Sequence, residues 1–548
     1  MRLKAPEAAV RQPAGLMMDP PLLVSSIMIH AEGQYGDQQI VSRETHGPLF
    51  RYTYGACAAR ARRLANALTA LGLNPGDAVA TLAWNNHRHL ESYYAISGGG
   101  MVIHTCNPRL HPEQLIYIIN HAEDRALLFD ATFAPLVRGI AARCPKVRAW
   151  ICMTDAGHMP AIEPADVLCY EELLAPQNDR FEWPQFDEHR AAALCYTSGT
   201  TGNPKGALFT HRSIVLNAMM LGLPALICLS PRETMLPVVP LFHVNGWCIP
   251  YGCLIGGAKL VLPGPKLDGA SLYELIEDER VTVSAGVPTI WVQLLAYMDQ
   301  HQRRFSSLER VISGGAAIPA ALVARFCDTY GVEVRQGWGM TETVALATAS
   351  CLDATQMQWP AERRHAAIAS QGKSVFGIDI KVVDAQGATL PRDGESQGEL
   401  MVRGQWVVSE YYKSGSPLVD GWFPTGDIAT IDPHGVMQIR DRAKDLIKSG
   451  GEWISSIDVE SAAADHPAIA SAAVIGVRHP KWQERPLLFV VVKPEQRVER
   501  GEILEFIARR LARWWVPDDV VFLDSLPVGG TGKVQKALLR EKYGHVFD

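Results

Sequence analysis

Apolar positions in the first third of the chain alternate between a helical and an extended rhythm. Leu64, Leu68 and Leu71 fall at i, i+4 and i+7, one face of a helix, and Gly72 stands where that helix is expected to stop. The turn Asn74-Pro-Gly-Asp77 then leads into the apolar run 78–83, the pattern of a buried strand. A helical stretch to about Ser97, a strand at 101–104, a helix marked by Leu115, Ile118, Ile119 and Ala122, and a strand at 126–129 complete the series. This β-α-β-α order predicts an α/β fold with mostly parallel sheets covered on both faces. The rhythm returns with strands at 259–262, 281–285 and 310–313 and a helix at 272–279. From about Ile378 strands dominate, at 378–383, 398–403 and 435–439, divided by Gly/Pro/Asp turns. The end of the chain reads as helix 456–465, strand 470–477, strand 487–493 and helix 501–513, an α+β unit whose boundary falls near Lys444. The domain division expected is therefore 1–443 and 444–548.

At 548 residues the chain is too long for a single core, and its length predicts about three or four folding units. With 47% apolar and 20% charged residues it has the composition of a soluble globular enzyme. A net charge of −6 argues against nucleic acid as a partner, since no basic stripe is present. The eleven cysteines are scattered and form no C-x-x-C pair, which fits reduced thiols of a cytoplasmic protein. Residues 1–21 lack the apolar stretch of a signal peptide. The segment 235–258 contains no Asp, Glu, Lys or Arg. Pro237, Pro240, Pro250, His243 and Asn245 make it a poor transmembrane helix, and buried core around a pocket is expected instead.

The densest chemistry lies in Tyr196-Thr-Ser-Gly-Thr-Thr-Gly-Asn-Pro-Lys205-Gly206. Glycines let backbone N–H groups approach an anion closely, Thr197, Ser198, Thr200 and Thr201 add donors, and Lys205 adds a mobile positive charge. These are the means of holding a polyphosphate. The spacing is not that of a Walker A loop, because Pro204 precedes the lysine and no Ser or Thr follows it. The string resembles the phosphate loop of the adenylate-forming superfamily, which includes acyl-CoA synthetases, peptide-synthetase adenylation domains and luciferases. The resemblance spans about residues 25 to 545. It implies a large N-terminal domain of two αβ-sandwich subdomains and a β-rich one, followed by a small mobile α+β domain.

The resemblance extends to further motifs. Thr197, Ser198, Gly199, Thr200, Thr201, Gly202 and Lys205 are expected to hold the phosphates of ATP. Gly337-Trp-Gly-Met-Thr-Glu342 matches the segment that packs on adenine and brings a glutamate to Mg²⁺. Thr201 and Glu342 are the expected metal ligands, Thr341 lies beside them, and Mg²⁺ suits one or two protein oxygens with the rest from phosphates and water. The family usually has Tyr at Trp338, so the flat face is kept and the phenol hydroxyl is expected to be lost. In 313–319, Gly315 and Ala316 are expected to frame adenine. Asp427 is expected to accept both ribose hydroxyls, with Arg442 nearby, and Lys444 to act as the hinge. Lys533, on a glycine-rich loop, matches the lysine that enters the active site, whereas Lys536 and Arg540 read as solvated cations of a basic terminal helix. After rotation at the hinge, Lys448 to Trp453 would line a channel for CoA.

The implied reaction is attack of a carboxylate on the α-phosphorus of ATP, giving acyl-AMP and pyrophosphate, then displacement of AMP by a thiol. Lys533, Glu342, His243 and Thr201 are the expected catalytic residues. His243, Val244, Trp247, Gly314, Gly339 and Met340 are expected around the acid. No Lys, Arg, Asp or Glu in those pocket segments can pair with a second charge, which favours a monocarboxylic acid over an amino acid. The segments 84–86, 107–109, 448–455 and 484–486 are most similar to bacterial medium-chain fatty-acyl-CoA synthetases, including those for short thioether acids such as methylmercaptopropionate. Trp247 can close the pocket floor, which favours short to medium tails. Aryl or thioether acids, a ligase loading a carrier protein, a nucleotide-binding protein without catalysis and a luciferase-type oxygenase stay open as alternatives. So does the oligomeric state, a homodimer among the options.

Overall fold

The structure is a computed structural model that describes residues 16–161, 166–197, 203–450, 452–494, 496–529 and 534–547. Among the described residues the chain builds four sheets. The first runs, in spatial order, Val167–Cys169, Ala149–Cys152, Ala126–Phe129, Ala78–Leu82, Val102–Thr105, Ala191–Tyr196 and Gly206–Thr210. Its strands are parallel except the last pair, an antiparallel hairpin. The expected helix around Leu64 extends over Tyr54–Ala70, opened by the Thr53 hydroxyl accepting from the Ala56 amide. It buries Ala61, Leu64 and Leu68.

The second sheet has the order Lys373–Ser374, Thr348–Ala349, Glu333–Trp338, Arg310–Ser313, Val283–Gly286, Thr234–Pro237, Lys259–Leu262, Gln39–Ser42 and Phe50–Thr53. Its parallel core agrees with the strand-helix rhythm, but the last two strands come from the start of the chain. Ile40, Val41 and Ser42 pair with Leu260, Val261 and Leu262, so the two layers are joined from the outset. Between them lies the helix His87–Gly98, every residue of which is buried. Buried charges need partners. Arg60 Nε donates to Glu91 Oε1 at 2.8 Å, Tyr170 OH to Glu91 Oε2 at 2.7 Å, and Arg88 reaches Glu44 at 2.8 Å and Glu171 at 2.7 Å. Burial holds His89 down at about 4, so the helix carries it neutral.

The β-rich region forms an antiparallel sheet of Ile378–Val383, Gly398–Gly404, Phe423–Ile431 and Met437–Arg442. The terminal unit pairs Ile469–His479 with Gln483–Val492, adds Asp519–Phe522 in parallel, and packs Ser456–Ala464 and Arg500–Ala508 on one core. The helix expected to reach 513 stops at Ala508, because Arg485 donates to Trp514 O at 2.9 Å and Val516 O at 3.0 Å and holds that stretch off the helical path. The reading of Lys536 and Arg540 as solvated cations is corrected. Lys536 Nζ lies 2.7 Å from Glu460 Oε1 and 2.6 Å from Ser456 Oγ, and Arg540 Nη2 lies 2.5 Å from Asp445 Oδ1. These pairs dock the last helix, Lys536–Tyr543, against the unit. The segment 235–258 is almost wholly buried, and among the described residues no helix is long and apolar enough to cross a membrane. All cysteines are free, and all but Cys228, Cys327 and Cys351 are buried.

Candidate active site

The phosphate segment joins the two strands of the antiparallel hairpin, with Tyr196 opposite Gly206. At its base the Thr197 amide donates to Lys205 O at 2.9 Å and the Lys205 amide to Thr197 Oγ1 at 3.3 Å. Ser198, Gly199, Thr200, Thr201 and Gly202 lie outside the described residues, as does Lys533. The Lys205 ammonium stands 4.9 Å from the ring centre of Tyr411, whose hydroxyl donates to Glu342 Oε1 at 2.6 Å. Thus Lys205 and Glu342, 137 positions apart, meet through a tyrosine that sequence reasoning missed. Its only sequence signal is a pair of adjacent tyrosines in a polar loop.

Neighbouring parallel strands, Arg310–Ser313 and Glu333–Trp338, set their carboxyl ends side by side, where ligands of open α/β sheets bind. This places Gly314, Gly315 and Ala316 beside Gly337, Trp338, Gly339, Met340 and Thr341. Gln336 Nε2 donates to Ala316 O at 3.0 Å and ties the two loops together. Ser313 Oγ and Gln336 Oε1 are buried without a hydrogen-bond partner among the described residues. Only glycine fits at Gly339, where a side chain would overlap the Ala345 carbonyl. From the β-rich sheet comes Asp427, 2% exposed. Trp338 Nε1 donates to Asp427 Oδ2 at 3.1 Å, and Arg442 Nε, opposite it in the ladder, lies 2.5 Å from Oδ1. The polar function expected to vanish with the phenol is therefore present on the indole. A carboxylate has about four acceptor positions, so each of its oxygens can accept more than one hydrogen bond.

His243 opens an unusual turn. Val244, Asn245, Gly246, Trp247 and Cys248 are all left-handed, with φ between 39° and 63°. Each such non-glycine residue costs about 1–2 kcal/mol, so the surroundings must fix it. Asn85 does so from one side: its Nδ2 donates to Pro237 O at 2.9 Å and Val239 O at 2.8 Å, while its Oδ1 accepts from the Leu241 amide at 2.8 Å. Asn245 Nδ2 donates to Tyr251 OH at 2.9 Å from the other. The turn lays the Trp247 ring against Gly314, where an added methyl group would lie 2.9 Å from it. Val244 is buried, and Trp247 and Met340 pack on the same core.

Lys448 and Trp453 face each other across the hairpin Ile447–Ser449 and Glu452–Ile454, with the ammonium 5.0 Å from the indole. Among the described residues neither side chain is bonded to Lys205, Glu342 or Asp427. Their hairpin is fastened to its own sheet instead, by Glu484 Oε2 accepting from the Lys448 amide at 2.8 Å and Arg485 Nη1 donating to Ser449 Oγ at 3.1 Å. Lys444 follows Arg442 in the link between the β-rich sheet and this unit.

Residues 30–412 match the family model described as AMP-binding enzyme, and residues 458–533 match that of the AMP-binding enzyme C-terminal domain. The chain belongs to the AMP-binding enzyme family. Among curated relatives it is 50% identical over 531 residues to 3-methylmercaptopropionyl-CoA ligase of Ruegeria lacuscaerulensis, covering 96% of this chain and 98% of the relative. It is 49% identical over 535 residues to the medium-chain-fatty-acid–CoA ligase of Ectopseudomonas oleovorans, covering 97% and 98%. ATP-bound MatB from Rhodopseudomonas palustris superposes with a TM-score of 0.80 at 27% identity, covering 96% of this chain and 100% of that one. The enzyme is thus an adenylate-forming ligase of α/β architecture. Among its described residues no group of three or more His, Cys, Asp or Glu could cage a metal. A single buried carboxylate, Glu342, 6% exposed and held by Tyr411, suits Mg²⁺ arriving on ATP phosphates, which needs few protein oxygens.

Proposed function

We propose that this AMP-binding enzyme joins a short- to medium-chain aliphatic acid to CoA, with ATP converted to AMP and pyrophosphate through an acyl-adenylate. The reading rests above all on one observation: the buried Asp427 carboxylate is pinned by an indole and a guanidinium, Trp338 and Arg442, that come from two different sheets. That arrangement fits a ribose with its base against the indole. The nucleotide then extends towards Lys205 and Glu342. Carboxylate and α-phosphate are both anionic, so positive charge must gather at the transferring group before they can approach. Lys205 supplies part of it from the hairpin and Lys533 part from the terminal unit. Mg²⁺, held by Glu342 and Thr201 with the phosphates, would neutralise phosphate charge. His243 stands where the acid's carboxylate enters. In the second half, CoA passes between the domains along Lys448 to Trp453, after rotation at Lys444. The cytoplasm, with its free ATP and CoA, is the compartment this reading implies.

Incubation with ATP, Mg²⁺ and straight-chain acids of two to twelve carbons, methylmercaptopropionate and benzoate, with and without CoA, tests the proposal. Acyl-CoA formation with the shorter aliphatic acids is expected. Pyrophosphate release with no thioester would point to a carrier-protein ligase, and no release at all would remove the enzyme reading. The Trp247 indole lies against Gly314, and with the acid seated beside them the ring would close the pocket floor and favour short tails. Trp247→Ala is therefore expected to raise kcat/KM for ten-carbon and longer acids by roughly tenfold, the value of one or two buried methylenes. An unchanged chain-length profile would place the pocket floor elsewhere.

A further inference from the structure

We infer that Tyr411 is a positioning residue for nucleotide activation, orienting the Glu342 carboxylate through its hydroxyl and seating the Lys205 ammonium on its ring. The inference rests on the reading of Glu342 as the magnesium carboxylate. Tyr411 OH lies 2.6 Å from Glu342 Oε1, and a phenol, protonated at neutral pH, is the donor. Hydrogen bonds to charged groups fix orientation strongly. One carboxylate oxygen is taken, and among the described residues the other has no hydrogen-bond partner, which leaves it to face a cation. Lys205 meets the π face at 4.9 Å, close enough for a cation–π attraction.

The segment carrying Tyr411 is built to be rigid. The Tyr412 amide donates to Gly206 O at 2.8 Å, on the outgoing strand of the phosphate hairpin, and the Val408 amide to Glu342 O at 2.9 Å. Lys413 Nζ donates to His121 O and Glu123 Oε1, both at 2.9 Å. His121 Nδ1 in turn shares a 2.6 Å hydrogen bond with Tyr196 OH, on the incoming strand. Ser416 Oγ donates to Ser409 O at 2.7 Å and closes the loop on itself. Both strands of the hairpin and the Glu342 turn are thus referred to one frame, with Tyr411 at its centre. A tyrosine needed only for packing would not require its hydroxyl on the carboxylate read as the magnesium ligand.

The test uses the full-length enzyme and α,β-methylene ATP, with the affinity measured by calorimetry in Mg²⁺ and in EDTA. For Tyr411→Phe, the gain in affinity from Mg²⁺ is expected to fall by about tenfold, with the value in EDTA unchanged. For Tyr411→Leu, the value in EDTA should fall as well, by roughly threefold, from loss of the Lys205 contact. Glu342→Gln should lose the Mg²⁺ gain, and adding Tyr411→Phe to it should change nothing more, since the two act as a unit. An undiminished Mg²⁺ gain in Tyr411→Phe, or equal losses with and without metal, would overturn the inference. If Glu342→Gln itself keeps the full gain, the metal assignment fails rather than the role of Tyr411 alone. Matching thermal midpoints of the free enzyme and Tyr411→Phe would separate either result from misfolding.

Discussion

Replacing Lys533 by alanine is expected to slow acyl-adenylate formation by on the order of 10²-fold or more, as for loss of a donor aimed at developing charge. Thioester formation from preformed acyl-AMP should stay within a few-fold of normal. The asymmetry follows from what each half-reaction needs. In the first, a carboxylate must approach a polyphosphate, and on the proposed reading the C-terminal amine would contribute positive charge where two anions meet. In the second, the leaving group is AMP and the nucleophile is a thiol, so on the proposed reading the hairpin carrying Lys448 and Trp453 would stand at the opening instead. In the structure that hairpin is held by Glu484 and Arg485 within its own sheet, which would let it move as one piece with the terminal unit. Single-turnover assays of each half-reaction decide the matter. Equal losses in both steps would rule out alternation of the terminal unit about Lys444.

Asp427→Asn is expected to raise the KM for ATP by about 10²-fold, from hydrogen bonds to a charged acceptor worth about 1.5–3 kcal/mol each. The carboxylate already accepts from Trp338 Nε1 and pairs with Arg442. An amide offers one oxygen, and its NH₂ group would face either the guanidinium or the indole N–H, both donors. No arrangement then serves both neighbours and two ribose hydroxyls. The sharper readout is sugar selectivity: the preference for ATP over 2′-deoxyATP should collapse in Asp427→Asn. Trp338→Phe, which keeps a flat face and removes only the N–H, should leave that preference largely intact and weaken ATP a few-fold. Undisturbed selectivity in Asp427→Asn would remove the ribose assignment.

Much of the candidate site is legible because its expected chemistry is carried by contiguous strings. The phosphate hairpin, the 337–342 turn and the Asp427 strand each announce themselves through glycines beside hydroxyls or acids. What escaped were single residues acting through space. Tyr411 lies 69 positions from Glu342 and joins it only because the β-rich sheet returns its 408–415 loop to the hairpin. Gln336 reads as one polar residue in a strand, yet its amide ties the loops that follow Ser313 and Trp338. Asn85 sits in a segment noticed for its similarity alone, and its side chain proves to brace the turn before His243. Lys536 and Arg540 were misread because a run of basic residues on a helix says nothing about acids supplied by Glu460 and Asp445.

Local patterning by itself determined the alternation of strand and helix, the shift to a β-rich region and the separate terminal unit, since a strand or helix buries its apolar face at a fixed spacing. It also carried the expectation of polyphosphate chemistry, which depends on which donors adjoin one another along the backbone. Tertiary structure alone decided that Gln39–Ser42 crosses into the second sheet, that Trp247 rests on Gly314 through a left-handed turn, and that Trp338, Arg442 and Asp427 form one cluster. Sequence spacing carries no record of these, because long-range strand pairing and side-chain contact depend on where the chain returns in space.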